Sequence, residues 1–148
     1  MKHFITKLSL FFLFLGLGAI SAQALSGTYY IPQGANPQGY ATLAAACTAI
    51  STNGANGVVT FIIDGNLTET APSIINNTTF TETNRLVIKP APTKQPTVTF
   101  TGIDAANHFF YIVNSSYVTL DGSNGNAGDG SRDMTFAFDN ATGRWAIE

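Results

Sequence analysis

A single cysteine, Cys47, stands among the 148 residues, so no disulfide can form within the chain and its stability must come from a packed core. The neighbours Ala44, Ala45, Ala46 and Ile50 mark that thiol as a buried small hydrophobe, not a reactive group. Charge is scarce too: Asp, Glu, Lys and Arg make up 11% of the chain, with seven basic and nine acidic residues and a net charge of −2. Such a chain has no basic face for a polyphosphate, which argues against a nucleic-acid partner. Thr, Asn, Ser and Gly must supply the polar surface instead, as suits an extracellular β-protein. The apolar run from Leu8 to Ile20 holds 13 residues, short of the roughly 20 needed to cross a bilayer.

That run does carry information. Lys2, His3 and Lys7 precede it and Ala22-Gln23-Ala24 follows it, the pattern of a secretory signal peptide cleaved after Ala24. The competing reading, an N-terminal membrane anchor, is disfavoured by the length of the run. Cleavage leaves 124 residues beginning at Leu25, one domain or part of one, with no stable membrane span. Removal of Lys2 and Lys7 leaves Arg85, Lys89, Lys94, Arg132 and Arg144 against nine acids.

Along the mature chain, Leu25–Ile31 reads as an extended segment stopped by Pro32, Gly34, Pro37 and Gly39. Helical spacing occurs once, at Tyr40, Leu43, Ala44, Cys47 and Ile50, and predicts a helix from Tyr40 to about Thr52 that Asn53-Gly54 closes. Val58–Gly65 alternates as a strand, with Asp64-Gly65 turning the chain. From Leu67 to Phe80 the pattern weakens around Pro72, leaving only Ile74-Ile75 as a short strand.

Later segments repeat in kind. Leu86 and Ile88, Val98 and Phe100, and the run Phe109–Val113 form one set of three strands; Val118 and Leu120, Met134, Phe136 and Phe138, and Trp145-Ala146-Ile147 form a second. The offset is roughly 32 residues at the first strand and 36 to 38 at the others, within the range of solenoid repeats. Tight two-residue hairpins, which an antiparallel sandwich needs, are scarce, and the corners separate strands unequally. The expected fold is therefore mostly β: a right-handed parallel β-helix with one N-terminal capping helix, divided as 1–24 signal peptide, 25–57 strand, loop and capping helix, and 58–148 first coils. The antiparallel sandwich is the alternative.

Three strings, Tyr40-Ala41-Thr42-Leu43-Ala44-Ala45-Ala46, Gly57-Val58-Val59-Thr60-Phe61 and Tyr117-Val118-Thr119-Leu120-Asp121-Gly122-Ser123-Asn124, resemble the start of large secreted pectin-lyase-like β-helix proteins found on the surface of Bacteroidetes-type bacteria. The resemblance implies the architecture and an address, secreted or cell surface. It leaves activity open, because that fold carries lyases, hydrolases and adhesins. Members usually have many more coils and a C-terminal anchoring domain, so the chain is expected to be a truncated portion, with a stability near the minimum for a repeat protein.

Candidate chemistry is sparse. Asp64, Lys89 and Asp121 each follow an inward apolar residue, Ile63, Ile88 and Leu120, and on that alignment would form an outward column of alternating charge. Such a column can be a binding or catalytic strip, or plain turn chemistry, which Asp before Gly favours. The loop Asp121–Gly130 is rich in oxygen donors, with Asp121, Asp129 and Asp133 as calcium ligands if an ion binds. As an EF-hand it fails, having Asn126 and Arg132 where Gly and Glu are required. Asn114 is placed to start an internal asparagine ladder. Tyr29, Tyr30, Tyr111, Tyr117 and Trp145 either stack on sugars or pack. His108 has no nucleophile in register, and the sequons at Asn66, Asn76, Asn77, Asn114 and Asn140 are expected by chance in so Thr- and Asn-rich a chain.

No catalytic set or cofactor site is evident. The expected function is a structural or adhesive module whose outer face binds an extracellular glycan or protein. The alternative is the N-terminal part of a polysaccharide lyase or glycoside hydrolase whose active site lies outside these residues.

Overall fold

The computed structural model describes residues 23–102, 109–125 and 131–139. Residues 1–22, where the signal peptide is expected, and His108, Asp129, Asn140 and Trp145 lie outside the described residues.

Among the described residues nine strands and one helix are formed: β1 (Leu25–Ile31), α1 (Leu43–Asn53), β2 (Ala55–Ile63), β3 (Leu67–Glu69), β4 (Ser73–Asn76), β5 (Leu86–Pro90), β6 (Thr97–Thr101), β7 (Phe110–Val113), β8 (Val118–Leu120) and β9 (Thr135–Asp139). They make three sheets, in the orders β1-β2-β5-β8, β3-β6-β9 and β4-β7. Every pairing is parallel. The chain therefore serves the sheets in rotation, β2-β3-β4, then β5-β6-β7, then β8-β9.

Register decides what faces in. Val59, Leu86 and Val118 lie side by side, as do Phe61, Ile88 and Leu120. Val98 pairs with Phe136 and Phe100 with Phe138. Alternate residues of each strand enter one shared core containing Val59, Phe61, Ile63, Leu67, Ile75, Leu86, Ile88, Val98, Phe100 and Phe110. Phe100 is its aromatic centre, stacked on Phe138 at 5.6 Å and on Phe136 at 6.2 Å, with Phe109 at 5.8 Å. The offsets expected between equivalent strands hold where they fall on described residues: Leu86 to Val118 and Val98 to Phe136.

Four expectations are corrected. The helix begins at Leu43, not Tyr40: Thr42 is extended (φ −135°, ψ 157°) and its side chain accepts from Ala45 N–H, so it is the N-cap. Tyr40 instead stacks on Tyr29 at 5.6 Å, and both meet Phe61 edge-on. The weak segment after Asp64 holds two strands, β3 and β4, and begins a full round of its own. β2 starts three residues early, at Ala55. Leu120, on the same sheet face as buried Ile88, is 37% exposed, because β8 is the last strand of its sheet among the described residues.

The helix end follows expectation. Gly54 takes φ +71° and donates its N–H to Ile50, closing α1 with a conformation that a side chain would strain. Leu43, Ala46, Cys47 and Ile50 form the buried face of α1, which packs chiefly on β4 and touches β1 and β3. Cys47 is fully buried among them. Burial, and then the charge of Glu69, push its thiol far above the ordinary range, so it stays protonated.

β1 is an edge strand, and loop 32–40 covers it. Tyr30 N–H donates to Gln38 and its carbonyl accepts from Tyr40, so the loop takes up ladder groups that would otherwise be open. Gly39 makes this approach possible, since a Cβ there would run into the Tyr30 carbonyl oxygen. Gly39→Ala is expected to destabilise the protein by about 1–3 kcal/mol; a denaturant midpoint equal to that of the wild type would contradict the edge cover.

Candidate functional site

Polar chemistry gathers at three places: the outer face of the first sheet, the corner after β8, and the junction of α1 with β4. On the outer face, the in-register neighbours are Tyr30, Ile62 and Lys89, while Ile63 pairs with Pro90. Asp64 therefore lies beside Ala91, whose N–H reaches the Ile63 carbonyl, and not beside Lys89. The expected column of Asp64, Lys89 and Asp121 is not formed. Asp121, following Leu120, does sit next to Lys89, since Ile88 pairs with Leu120 and accepts from Asp121 N–H. Its carboxylate turns to the corner: Oδ1 accepts from Ser123 N–H at 3.0 Å and from Ser123 Oγ at 2.9 Å.

The corner brings Asp121 and Asp133 together. Asp133 N–H donates to the Gly122 carbonyl, and the Asp133 carboxylate accepts from Asn124 N–H at 3.1 Å and from Gln95 Nε2 at 3.2 Å. Asn124 Nδ2 in turn reaches the Lys94 carbonyl at 2.8 Å. Asp133 and Asn124 thus tie the loop to the preceding round, while the Asp121 carboxylate serves its own corner. Among the described residues no group of three or more His, Cys, Asp and Glu converges as metal ligands would.

Hydrogen bonds from Ser131, then Asn124 N–H, and also Gln95 hold the Asp133 carboxyl below the ordinary aspartate value. A depressed pKa favours the folded corner above the unfolded aspartate value, and that advantage is lost as pH falls through the folded one. An NMR titration of the Asp133 carboxyl is expected to show a midpoint below that of an unstructured aspartate. Asp133→Asn should abolish the pH dependence of the Asn124 amide shift, and an ordinary midpoint would contradict these contacts.

At the helix junction two side chains do work that sequence reasoning did not foresee. Glu69 is 1% exposed and points inward from β3; its Oε1 accepts from Leu43 N–H at 2.7 Å and its Oε2 from Ala44 N–H at 3.0 Å. A carboxylate thereby satisfies two of the four open donors of the helix start, where the helix dipole is positive. Asn77 is the second: its Nδ2 donates to the Ile50 and Ser51 carbonyls, while Oδ1 accepts from Thr79 N–H and Oγ1. The internal amide expected at Asn114 is therefore one round earlier; Asn114 is exposed, at φ +50°, with its Nδ2 3.4 Å from Asn76 Oδ1.

No family model, curated protein or solved structure matches the chain. Function must be read from its own surfaces. Between the end of α1 and the turn after β4 lies a groove of about 280 Å³, lined by Ser51, Thr52, Asn53, Gly54, Asn76, Asn77, Thr78 and Thr79. Hydroxyl, amide and backbone groups are its only polar chemistry. Ser51 Oγ fixes one wall by donating to the Ile74 carbonyl and accepting from Asn76 N–H.

The tyrosines divide. Tyr29 packs against Tyr40 and Phe61, Tyr30 and Tyr111 are half-buried, and Tyr117 is 54% exposed at φ +55°. Among the described residues no helix is long and apolar enough to cross a membrane.

Proposed function

We propose that the chain is a secreted or cell-surface module of the right-handed parallel β-helix type, similar to the pectin-lyase-like proteins, with a structural or adhesive role. Its partner is an extracellular glycan or protein, met by the outer faces of the sheets. The observation that carries this reading is the rotation of the chain through three parallel sheets with register kept from round to round. Outward residues then recur in columns about 4.8 Å apart, a spacing suited to many weak contacts with an extended partner. Right-handedness follows from the strong preference of parallel crossovers. The basic start, the 13-residue apolar run and Ala22-Gln23-Ala24 support export.

Two measurements test this. Expression of the full chain in a bacterial host, followed by N-terminal sequencing of the exported product, should read from Leu25; retention inside the cell with residues 1–24 intact would contradict export. The purified product should bind immobilised extracellular polysaccharides or matrix proteins without releasing reducing ends or unsaturated uronates. Release of such products would favour the lyase or hydrolase reading instead.

A further inference from the structure

We infer that the groove between α1 and the turn after β4 is a subsite for one neutral pyranose unit, a placement that rests on the adhesive, glycan-binding reading above. Size comes first: about 280 Å³ lies at the low end of ligand pockets, room for one ring and not for a chain of them. Charge is next. None of the lining residues is ionisable, so nothing there pairs with a carboxylate, sulfate or ammonium group, and a neutral ligand loses least on entering.

Preorganisation is third. Ser51 and Asn77 are held by hydrogen bonds to the helix end and to β4, so the walls stay in place without a ligand. Thr52, Asn53 and Thr78 also line the groove, and their side chains have no hydrogen-bond partner among the described residues. They supply donors and acceptors for ring hydroxyls.

A sugar also has an apolar face, and the neighbouring surface offers one. On β4, Ile74 lies on the same outer face as Asn76, is 42% exposed, and is in register with Tyr111 of β7. The C–H face of a pyranose can rest on this pair while its hydroxyls reach the groove, the division of labour that aromatic and polar groups provide in ligand sites. Asn76, on the groove wall, accepts from Asn114 Nδ2 at 3.4 Å.

The test is an NMR titration of the full-length exported protein with D-glucose, D-galactose, D-mannose, N-acetyl-D-glucosamine and D-galacturonate, each added alone. At least one neutral sugar is expected to move the amide resonances of Ser51–Gly54 and Asn76–Thr79, with galacturonate moving them less. Thr52→Trp, at an exposed helix position, fills the groove and should weaken that sugar about tenfold, and Ile74→Ser should weaken it several-fold. Circular dichroism identical to the wild type shows that both variants fold. Shifts confined to the outer faces of the other sheets, or affinity unchanged in Thr52→Trp, would overturn the groove while leaving glycan adhesion standing. No shift with any neutral sugar, with the protein still held on immobilised polysaccharide, would also overturn the groove alone; loss of both would overturn the adhesive reading with it.

Discussion

Replacing Glu69 by Ala is expected to lower stability by about 2–4 kcal/mol, the cost of leaving two buried helix N–H groups without an acceptor. The carboxylate reaches Leu43 and Ala44 from a strand that lies 25 or more residues away in sequence, so it joins α1 to the second sheet as well as capping it. Thr42 serves the next donor, Ala45 N–H, and cannot take over the other two. Glu69→Gln should cost roughly half as much, since an amide keeps one acceptor oxygen but loses the favourable charge at the helix start. Chemical denaturation of the three proteins tests the order wild type, Gln, Ala. A Glu69→Ala variant as stable as wild type would mean that α1 does not need this contact.

Phe100→Ala is expected to be the most damaging single truncation, at about 3–5 kcal/mol. Its ring is fully buried and meets Phe109, Phe136 and Phe138, so its loss opens a cavity bordered by β9 of its own sheet and the connection before β7. Phe138→Ala removes a half-buried ring on the outermost described strand of the same sheet and should cost clearly less. Phe100→Leu should recover most of the loss because it refills volume. Equal midpoints for Phe100→Ala and Phe138→Ala would contradict the central position of Phe100.

How far these features were legible in the sequence depends on whether their signal is local. Alternation at Leu86, Ile88, Val98 and Phe100 is local, and each of these residues is buried. The helix is local too: its buried face falls at the expected spacing, and Gly54 ends it. Register is not local. Aligning Ile63 with Ile88 keeps the inward–outward alternation intact, so periodicity cannot detect that the true partner of Ile88 is Phe61. That slip of two residues created the apparent charge column of Asp64, Lys89 and Asp121.

Glu69 was hidden for a related reason. In Leu67-Thr68-Glu69 an acid at an inward position looks like a mark against a strand, and its partners become visible only when the start of α1 is placed beside it. Asn77 reads as an ordinary turn residue in Asn76-Asn77-Thr78-Thr79, and its contacts to the helix end cross 26 or 27 positions. The groove that Asn77 helps to frame has no sequence signature, since its walls come from the end of α1 and the turn after β4, which Asn77 joins.

The parallel pairing of strands one round apart carries everything else, and NMR cross-strand contacts test it most directly. The account predicts close backbone contacts linking Val59 with Leu86, Leu86 with Val118, and Val98 with Phe136, in the evenly spaced pattern of parallel strands. Short Hα–Hα contacts between consecutive strands such as β5 and β6, the mark of antiparallel hairpins, would contradict it.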